Sequence, residues 1–527
     1  MLAQLAPSLK PYGVDLTAVE IKSIELERNA RDAGIARRAR QYGGKVIIIG
    51  SDAFDWEIFK QVSAKHRLPN IERMIREGAS GDLISVEPLI SPMIWTTMAT
   101  GVEPQVHGII DFVVHDETTG EDIPITSDMR RVPAIWNIAT RFGLSAGFVG
   151  WLGSYPAEPV TGFIVSDRIV YHVFDPRWQK GEAQSEVEDI EGLVYPPDLL
   201  PEIKPLVRGP EDISYEELSQ YVRISRAEAA TEGSTFDRLD PIRNLKLVIA
   251  ANTTHERIAR RAYEKFRPRV FGVYLDMVDT MCHLFIKYMA PPMPDVSKED
   301  ISKYEDAVAA AYVHTDSLIG EWLKIMDDST TLILISDHGF KSGEIRPSGP
   351  SAIGAGQPVK WHRLAGAIAL YGNHVKPGVR LTDASVFDVC PTVLRLLGLP
   401  PADDMPGRVL EEALEDDWLK QSSEVGTIES YGTRMSQGKP TRRSEEEAAI
   451  LERLKALGYI GRGSTGLKRM ASGHFARGEF DKAIEIWEEV LRQEPGNVEI
   501  MTAIANAHIH KGEPDRAIAI LEDAIAR

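Results

Sequence analysis

Cysteine is almost missing from this 527-residue sequence, with only Cys282 and Cys390 present. Two isolated cysteines exclude a disulfide framework and a cysteine-built zinc cluster. Long apolar runs are missing too. No stretch reaches the ~18 apolar residues that a membrane-spanning helix needs, so no membrane span is expected. Met1 to Gly13 lacks a basic start followed by an apolar stretch, so no secretory leader is expected. The compartment this predicts is the cytoplasm, or the periplasm if a leader has been lost. Positive charge is in deficit, with 60 Lys and Arg against 78 Asp and Glu and a net charge of -18. An acidic chain repels phosphate backbones, so no nucleic-acid-binding module is expected. Bound metal ions can still reverse the sign locally and admit a phosphate.

The remaining composition is ordinary for a globular protein, at 43% hydrophobic and 26% charged. The length exceeds what one core supports and predicts two or three domains. Residues 1–42 read as a helical N-terminal arm, charged and solvated, with a basic knot at Arg37, Arg38 and Arg40. Three short β-branched or apolar runs follow at wide spacing: KVIIIG from Lys45, VFGVYL from Val270 and TLILI from Thr331. Each is too short for a buried helix, and each reads as a fully buried parallel strand. Helical patterns over Leu68–Glu77 and Lys303–Met326 lie between them. Strands alternating with helices predict an α/β layered domain with a mostly parallel sheet, over residues 43–420. The stretch from about 132 to 269, rich in proline, glycine and acid, reads as an inserted cap. Residues 421–460 read as a polar linker and a helix over Glu445–Leu457.

The chain ends in a repeat. Gly478-Glu479-Phe480-Asp481-Lys482-Ala483-Ile484 recurs 34 residues later as Gly512-Glu513-Pro514-Asp515-Arg516-Ala517-Ile518. That period, with Trp487 and Pro495, resembles the tetratricopeptide (TPR) repeat, a helix-turn-helix unit. Residues 461–527 are therefore expected to form a small all-α tail. Two units make a short array, which predicts support from the preceding α/β domain, a protein partner or self-association.

Ligand-type side chains gather in four separated segments. Asp52 lies in IIIGSDAFD, Asp279 and His283 in DMVDTMCH, Asp337 and His338 in ISDHGF, and His362 in KWHRLAG. Asp52, Asp279 and Asp337 each follow a strand, at the end where ligands bind in such sheets. Asp279 and His283 are four apart and share a face if that segment is helical. Three carboxylates and three imidazoles are about what two divalent cations require. Taken singly each residue has a plainer explanation, such as a helix cap for Asp52.

The order of these groups resembles the alkaline phosphatase superfamily, in its type I phosphodiesterase/nucleotide pyrophosphatase branch. The similarity runs from Lys45 to Leu414. It includes Leu68-Pro69-Asn70-Ile71, Ser91-Pro92, Thr100-Gly101, His107-Gly108-Ile109 and Phe387-Asp388-Val389-Cys390-Pro391-Thr392. The resemblance implies an alkaline-phosphatase-like α/β/α fold and two divalent metal ions. Zinc is favoured by the imidazole content, with manganese as the other option. It implies that Asp279, His283 and His362 hold one ion, and that Asp52, Asp337, His338 and Ser91 hold the other. Ser91, nine residues before Thr100-Gly101, stands where the family has its nucleophile, and the resemblance implies that no histidine base is required. The expected reaction is hydrolysis of a phosphate ester, first of all a phosphodiester, through phospho-Ser91. Phosphomonoester hydrolysis and transfer of a phospho-headgroup are the alternatives within the superfamily. A TPR interaction protein on an inactive fold is the alternative of another class, and the intact ligand set argues against it.

One position departs from the branch. An Asn twenty-one residues after the nucleophile donates to the phosphoryl group in those relatives, and Phe112 stands there. Phe cannot donate, so Lys341, Lys360 and Arg363 are candidate replacements by their nearness to ligands in the chain. Trp95, Trp136 and Trp151 read as core before they read as pocket lining.

Overall fold

A computed structural model describes residues 18–116, 121–174, 191–230, 240–347, 358–434 and, with several breaks, 451–526. The helix expected over 445–457 lies almost wholly outside the described residues.

Thirteen strands are numbered here in chain order among the described residues. β1 is Lys45–Ser51, β2 Ala79–Ile84, β3 Val113–Asp116, β4 Glu121–Pro124, β5 Ala146–Val149 and β6 Gly162–Val165. β7 is Val194–Tyr195, β8 Val270–Leu275, β9 Thr330–Ile335, β10 Gly339–Phe340, β11 His362–Arg363, β12 Ala365–Gly372 and β13 Val379–Ser385. Nine of them build one sheet in the order β13-β2-β12-β9-β1-β8-β5-β6-β7. β9, β1, β8, β5 and β6 run parallel, whereas β12 is antiparallel to both its neighbours and β7 to β6. The three runs legible as strands, β1, β8 and β9, are adjacent and form the centre.

Burial on both faces explains why those runs are continuously apolar. Ile47, Ile49, Phe271, Val273, Leu332 and Leu334 face one core. Val46, Ile48, Val270, Tyr274, Ile333 and Ile335 face the other. The first face is covered by helices α2 (Trp56–Ser63), α3 (Pro69–Glu77), α6 (Pro241–Phe266), α7 (Met277–Phe285) and α8 (Ala307–Ile325). The second is covered by α1 (Ala18–Tyr42), α4 (Ser91–Thr100), α5 (Ile135–Arg141) and α9 (Val389–Leu396). The domain is therefore a three-layer α/β/α sandwich around a mixed, mostly parallel sheet.

Two segments are placed differently from their plainest reading. α1 is not simply a solvated arm: Ile35 and Ala39 are buried in the second core, and Arg141 pairs with Asp32 at 2.9 Å. Much of the stretch read as a cap, 132–269, belongs to the layers themselves. It supplies β5, β6, β7, α5 and the 26-residue α6. A third helical tail, α10 (Phe480–Gln493), α11 (Val498–His510) and α12 (Pro514–Ala526), encloses an apolar core of its own around Trp487, Val490, Ile500 and Ile504.

Candidate metal centre

The carboxyl ends of β1, β8 and β9 converge, and their neighbours in sequence carry the ligand-type side chains. Asp52 follows β1, α7 begins just after β8 and presents Asp279 and His283, and Asp337-His338 follows β9. His362 comes from a distant segment through the two-stranded ribbon β10–β11, where Phe340 pairs with His362 and Gly339 with Arg363. All six residues are buried, Asp337 and His338 completely.

The six form two overlapping groups. Asp52 Oδ1 lies 3.3 Å from His338 Nε2, and Asp337 Oδ2 lies 3.5 Å from the same nitrogen. Asp279 Oδ1 lies 3.3 Å from His283 Nε2 and 3.6 Å from His362 Nε2, and the two imidazole nitrogens are 3.1 Å apart. His338 stacks on His362 at 3.7 Å between ring centroids, which joins the groups into one centre. Asp52, Asp337 and His338 have ligand atoms close enough to share one ion, and so do Asp279, His338 and His362.

The outer atoms of Asp52, Asp337, His338 and His362 are tied to the protein. His338 Nδ1 donates to Gly339 O at 3.1 Å and His362 Nδ1 to Leu89 O at 3.3 Å. Both bonds fix the tautomer whose Nε2 lone pair faces inward. Asp52 Oδ2 accepts from Tyr274 Oη at 2.6 Å and from Trp95 Nε1 at 3.4 Å. Asp337 Oδ1 accepts from Ala53 N at 3.4 Å. The inner atoms Asp52 Oδ1, Asp337 Oδ2 and His338 Nε2 have no hydrogen-bond partner among the described residues. Buried polar atoms left this way are costly, and a cation between them removes the cost. The oxygen and imidazole-nitrogen donors suit divalent zinc or manganese, so the residues fit the expected ions.

Electrostatics agree. Burial, with the neighbouring carboxylates Asp337 and Asp279, pushes the Asp52 carboxyl well above its usual range. Burial also raises Asp337, to about 7, and Asp279 adds to the rise. Burial acts upward on Asp279 as well, but the imidazoles of His283, His362 and His338 outweigh it and hold that carboxyl down. His362 is held well below the usual imidazole range by burial and by His338 beside it. Like charges crowded out of water need a compensating charge, which divalent ions supply.

Ser91 is the first residue of α4, directly after Ile90, and its hydroxyl acts on the Asp337 carboxyl, favouring the charged form. It is thus brought to the Asp52/Asp337/His338 group. The first turn of a helix leaves amide N–H groups without internal acceptors and favours an anion there. His107, which follows Ser91 in the family pattern, sits behind α4. Its Nδ1 accepts from Ile109 N at 3.1 Å, which leaves Nε2–H to donate to Thr97 Oγ1 at 3.0 Å. Burial and the nearby Arg130 and Arg131 hold this imidazole neutral, down to about 3.

The candidate substrate contacts fare differently. Arg363 Nε donates to Asp55 Oδ2 at 2.7 Å, a brace between the ribbon and α2, while its Nη2 is buried with no hydrogen-bond partner among the described residues. Lys341 Nζ donates to Lys360 O at 2.7 Å, and Lys360 itself is exposed. Phe112 is partly buried, and its amide donates to Asp111 Oδ1 at 2.6 Å. Trp95, Trp136 and Trp151 are core, as expected.

Asp55 escaped the sequence reading although it stands in the same IIIGSDAFD segment. Fully buried, it caps α2 by accepting from Glu57 N and Ile58 N, and its second oxygen accepts from Phe340 N and Arg363. A Cβ on Gly339 would come within 2.2 Å of that oxygen and 2.3 Å of Ala365 O, which accounts for the glycine after Asp337-His338. Tyr274 was missed because its strand position reads only as core.

Residues 46–353, more than half of the chain, match the family described as type I phosphodiesterase / nucleotide pyrophosphatase, and residues 474–527 match a tetratricopeptide repeat family. No curated protein matches the chain. Among solved structures it is similar to wild-type alkaline phosphatase PafA (11% identity, TM-score 0.45, covering 71% of this chain and 99% of that one). It is also similar to murine ectonucleotide pyrophosphatase / phosphodiesterase 5 (12%, TM-score 0.38, 70% and 100%). A third is phosphonoacetate hydrolase from Sinorhizobium meliloti 1021 in complex with phosphonoformate (16%, TM-score 0.33, 57% of each chain).

Proposed function

Since this chain belongs to the type I phosphodiesterase/nucleotide pyrophosphatase family, we propose that it hydrolyses phosphate esters, phosphodiesters first, with two divalent ions and Ser91 as nucleophile. The observation that carries this is the set of inward atoms without hydrogen bonds beside the Ser91 hydroxyl. Asp52, Asp337 and His338 would hold one ion beside Ser91, and Asp279, His283 and His362 the other. When bound, the ions supply Lewis acidity that activates the serine oxygen and offsets charge on the leaving oxygen.

The chain's own residues do the rest. Ser91 Oγ, giving up its proton to solvent, forms a bond to phosphorus as the bond from phosphorus to the leaving oxygen breaks, and that oxygen takes up a proton from solvent. The start of α4 offers backbone N–H groups to a phosphoryl oxygen. Water then cleaves the phospho-Ser91 ester and restores the hydroxyl. The buried wall of Trp95 and Tyr274 behind Asp52 keeps bulk water from that side of the centre.

Phe112 favours a second reading of the substrate. It replaces the amide donor of the pyrophosphatase relatives, so a nucleotide pyrophosphate is a poor fit, and a different diester or a monoester is the alternative. Hydrolysis of bis-p-nitrophenyl phosphate against p-nitrophenyl phosphate, with zinc or manganese restored after chelation, separates these. Ser91→Ala is expected to abolish turnover while both ions remain bound. Undiminished turnover in that variant would remove Ser91 as nucleophile.

A further inference from the structure

The centre is held from behind by an assembly that the family pattern of ligands does not contain. Tyr274 lies on β8 beside Gly50 of β1, in parallel register, and both side-chain positions face the second core. Its hydroxyl reaches across to Asp52 Oδ2 at 2.6 Å. Trp95, from the first turns of the helix that begins with Ser91, sends Nε1 to the same oxygen at 3.4 Å. The two rings meet edge to face at 5.1 Å, and Trp151 meets Trp95 in the same way at 5.2 Å. The Trp95 ring can lie there only because residue 50 is glycine. A Cβ at that position would come within 2.6 Å of the ring.

The consequence for Asp52 is geometric. A carboxylate rotating about χ2 can present either oxygen, or both, to an ion. Two donors on Oδ2 fix that oxygen outward, so Oδ1 alone is left toward His338 Nε2. An oriented single-oxygen ligand binds its ion without first losing rotational freedom, and outer-sphere donors of this kind tune affinity strongly. The donors come from two different elements, β8 and α4, and α4 also carries Ser91. The same contact therefore fixes the ligand and the nucleophile's helix relative to one another.

We propose that Tyr274, supported by Trp95, is a positioning residue for the ion held by Asp52, Asp337 and His338, and sets the affinity of that ion but not of the other. This rests on the two-metal reading above, and it acts through Asp52 alone. Neither ring touches the reacting atoms in this account.

The test is titration of metal-free protein with zinc against a chromophoric chelator, with melting temperature of the metal-free form as the check on folding. The wild type is expected to take up two equivalents. Tyr274→Phe removes one oxygen and no packing volume, and should weaken one equivalent by about 10- to 100-fold while sparing the other. Trp95→Phe, which removes the longer bond, should weaken the same equivalent by less. In an Asp52→Asn background, Tyr274→Phe should add nothing further. The proposal is overturned if folded Tyr274→Phe binds both equivalents like the wild type, or if the loss persists undiminished in the Asp52→Asn background. A wild type that binds no metal overturns both this and the two-metal reading. A wild type that binds two ions yet cleaves neither ester overturns only the hydrolase reading.

Discussion

At Glu158 four donors meet one buried carboxylate: Arg130 at 2.6 Å, Arg434 at 2.7 Å, Trp136 Nε1 at 2.7 Å and Asn137 Nδ2 at 3.0 Å. Burial pushes this carboxyl up, but the two guanidinium groups more than offset it and its pKa is lowered. A lowered folded-state pKa adds stability that is fully present above the unfolded value, about 4.3, and is lost as pH falls through the folded value. Glu158→Gln should cost about 3–5 kcal/mol near neutral pH, because it leaves two buried cations facing a neutral amide. Melting curves of both proteins across pH should therefore converge at the acid end; parallel curves would show that the charge does not matter. The candidate metal ligands, by contrast, are legible as a set because their order along the chain is informative even where each alone is not. What stayed hidden were the residues behind them. Tyr274 and Asp55 look like a strand aromatic and a helix cap, and only the fold shows what they hold. Closeness in sequence to His362 likewise does not tell where the Arg363 guanidinium goes: its Nε is held by Asp55.

Elements were legible in proportion to how fully they are buried. β1, β8 and β9 are covered on both faces, so their sequences are unbroken apolar runs. β5 and β6 extend the same sheet, but AGFV and GFIV are four residues each and contain glycine, which leaves too little pattern to find. β13 alternates buried and exposed positions with a register shift between Leu381 and Ala384, which blurs its period. The polar stretch after 421 was read as linker, yet its first part is a strap laid on the domain. Ile428 N donates to Pro401 O and Tyr431 Oη to Pro400 O. Arg434 N reaches Arg131 O at 2.6 Å, and its side chain reaches Ser127 O at 3.0 Å as well as Glu158. A chain cut after Arg434 should keep the catalytic domain's melting temperature. A cut after Gly426 should lower it, because the Glu158 cage loses one of its two cations. Equal melting of the two truncated proteins would show the strap to be passive.

At the scale of the whole molecule, two apolar cores share one sheet and a third stands by itself in the TPR tail. The tail repeats its contacts with its sequence period. His474 Nδ1 bonds Glu479, and His508 Nδ1 bonds Glu513 at 2.8 Å. Glu479 N also donates to His474 O at 2.9 Å, as Glu513 N does to His508 O at 2.9 Å. Each turn is thus closed locally, and its stability comes from within the repeats and from their neighbours. The candidate metal centre, in contrast, is built from β1, β8, β9, α4, α7 and the β10–β11 ribbon, all within residues 45–363. Among the described residues, nothing that holds a candidate ligand or Ser91 in place comes from the tail. Removing every residue after Gly461 should therefore leave turnover of bis-p-nitrophenyl phosphate unchanged, with zinc uptake at two equivalents. If the tail serves a protein partner or a second copy, its loss should appear instead in sedimentation or in activity toward a substrate presented on a larger assembly. A truncated protein that still folds and binds zinc but no longer cleaves the small ester would show that the tail completes the catalytic site, and the division of labour argued here would fall.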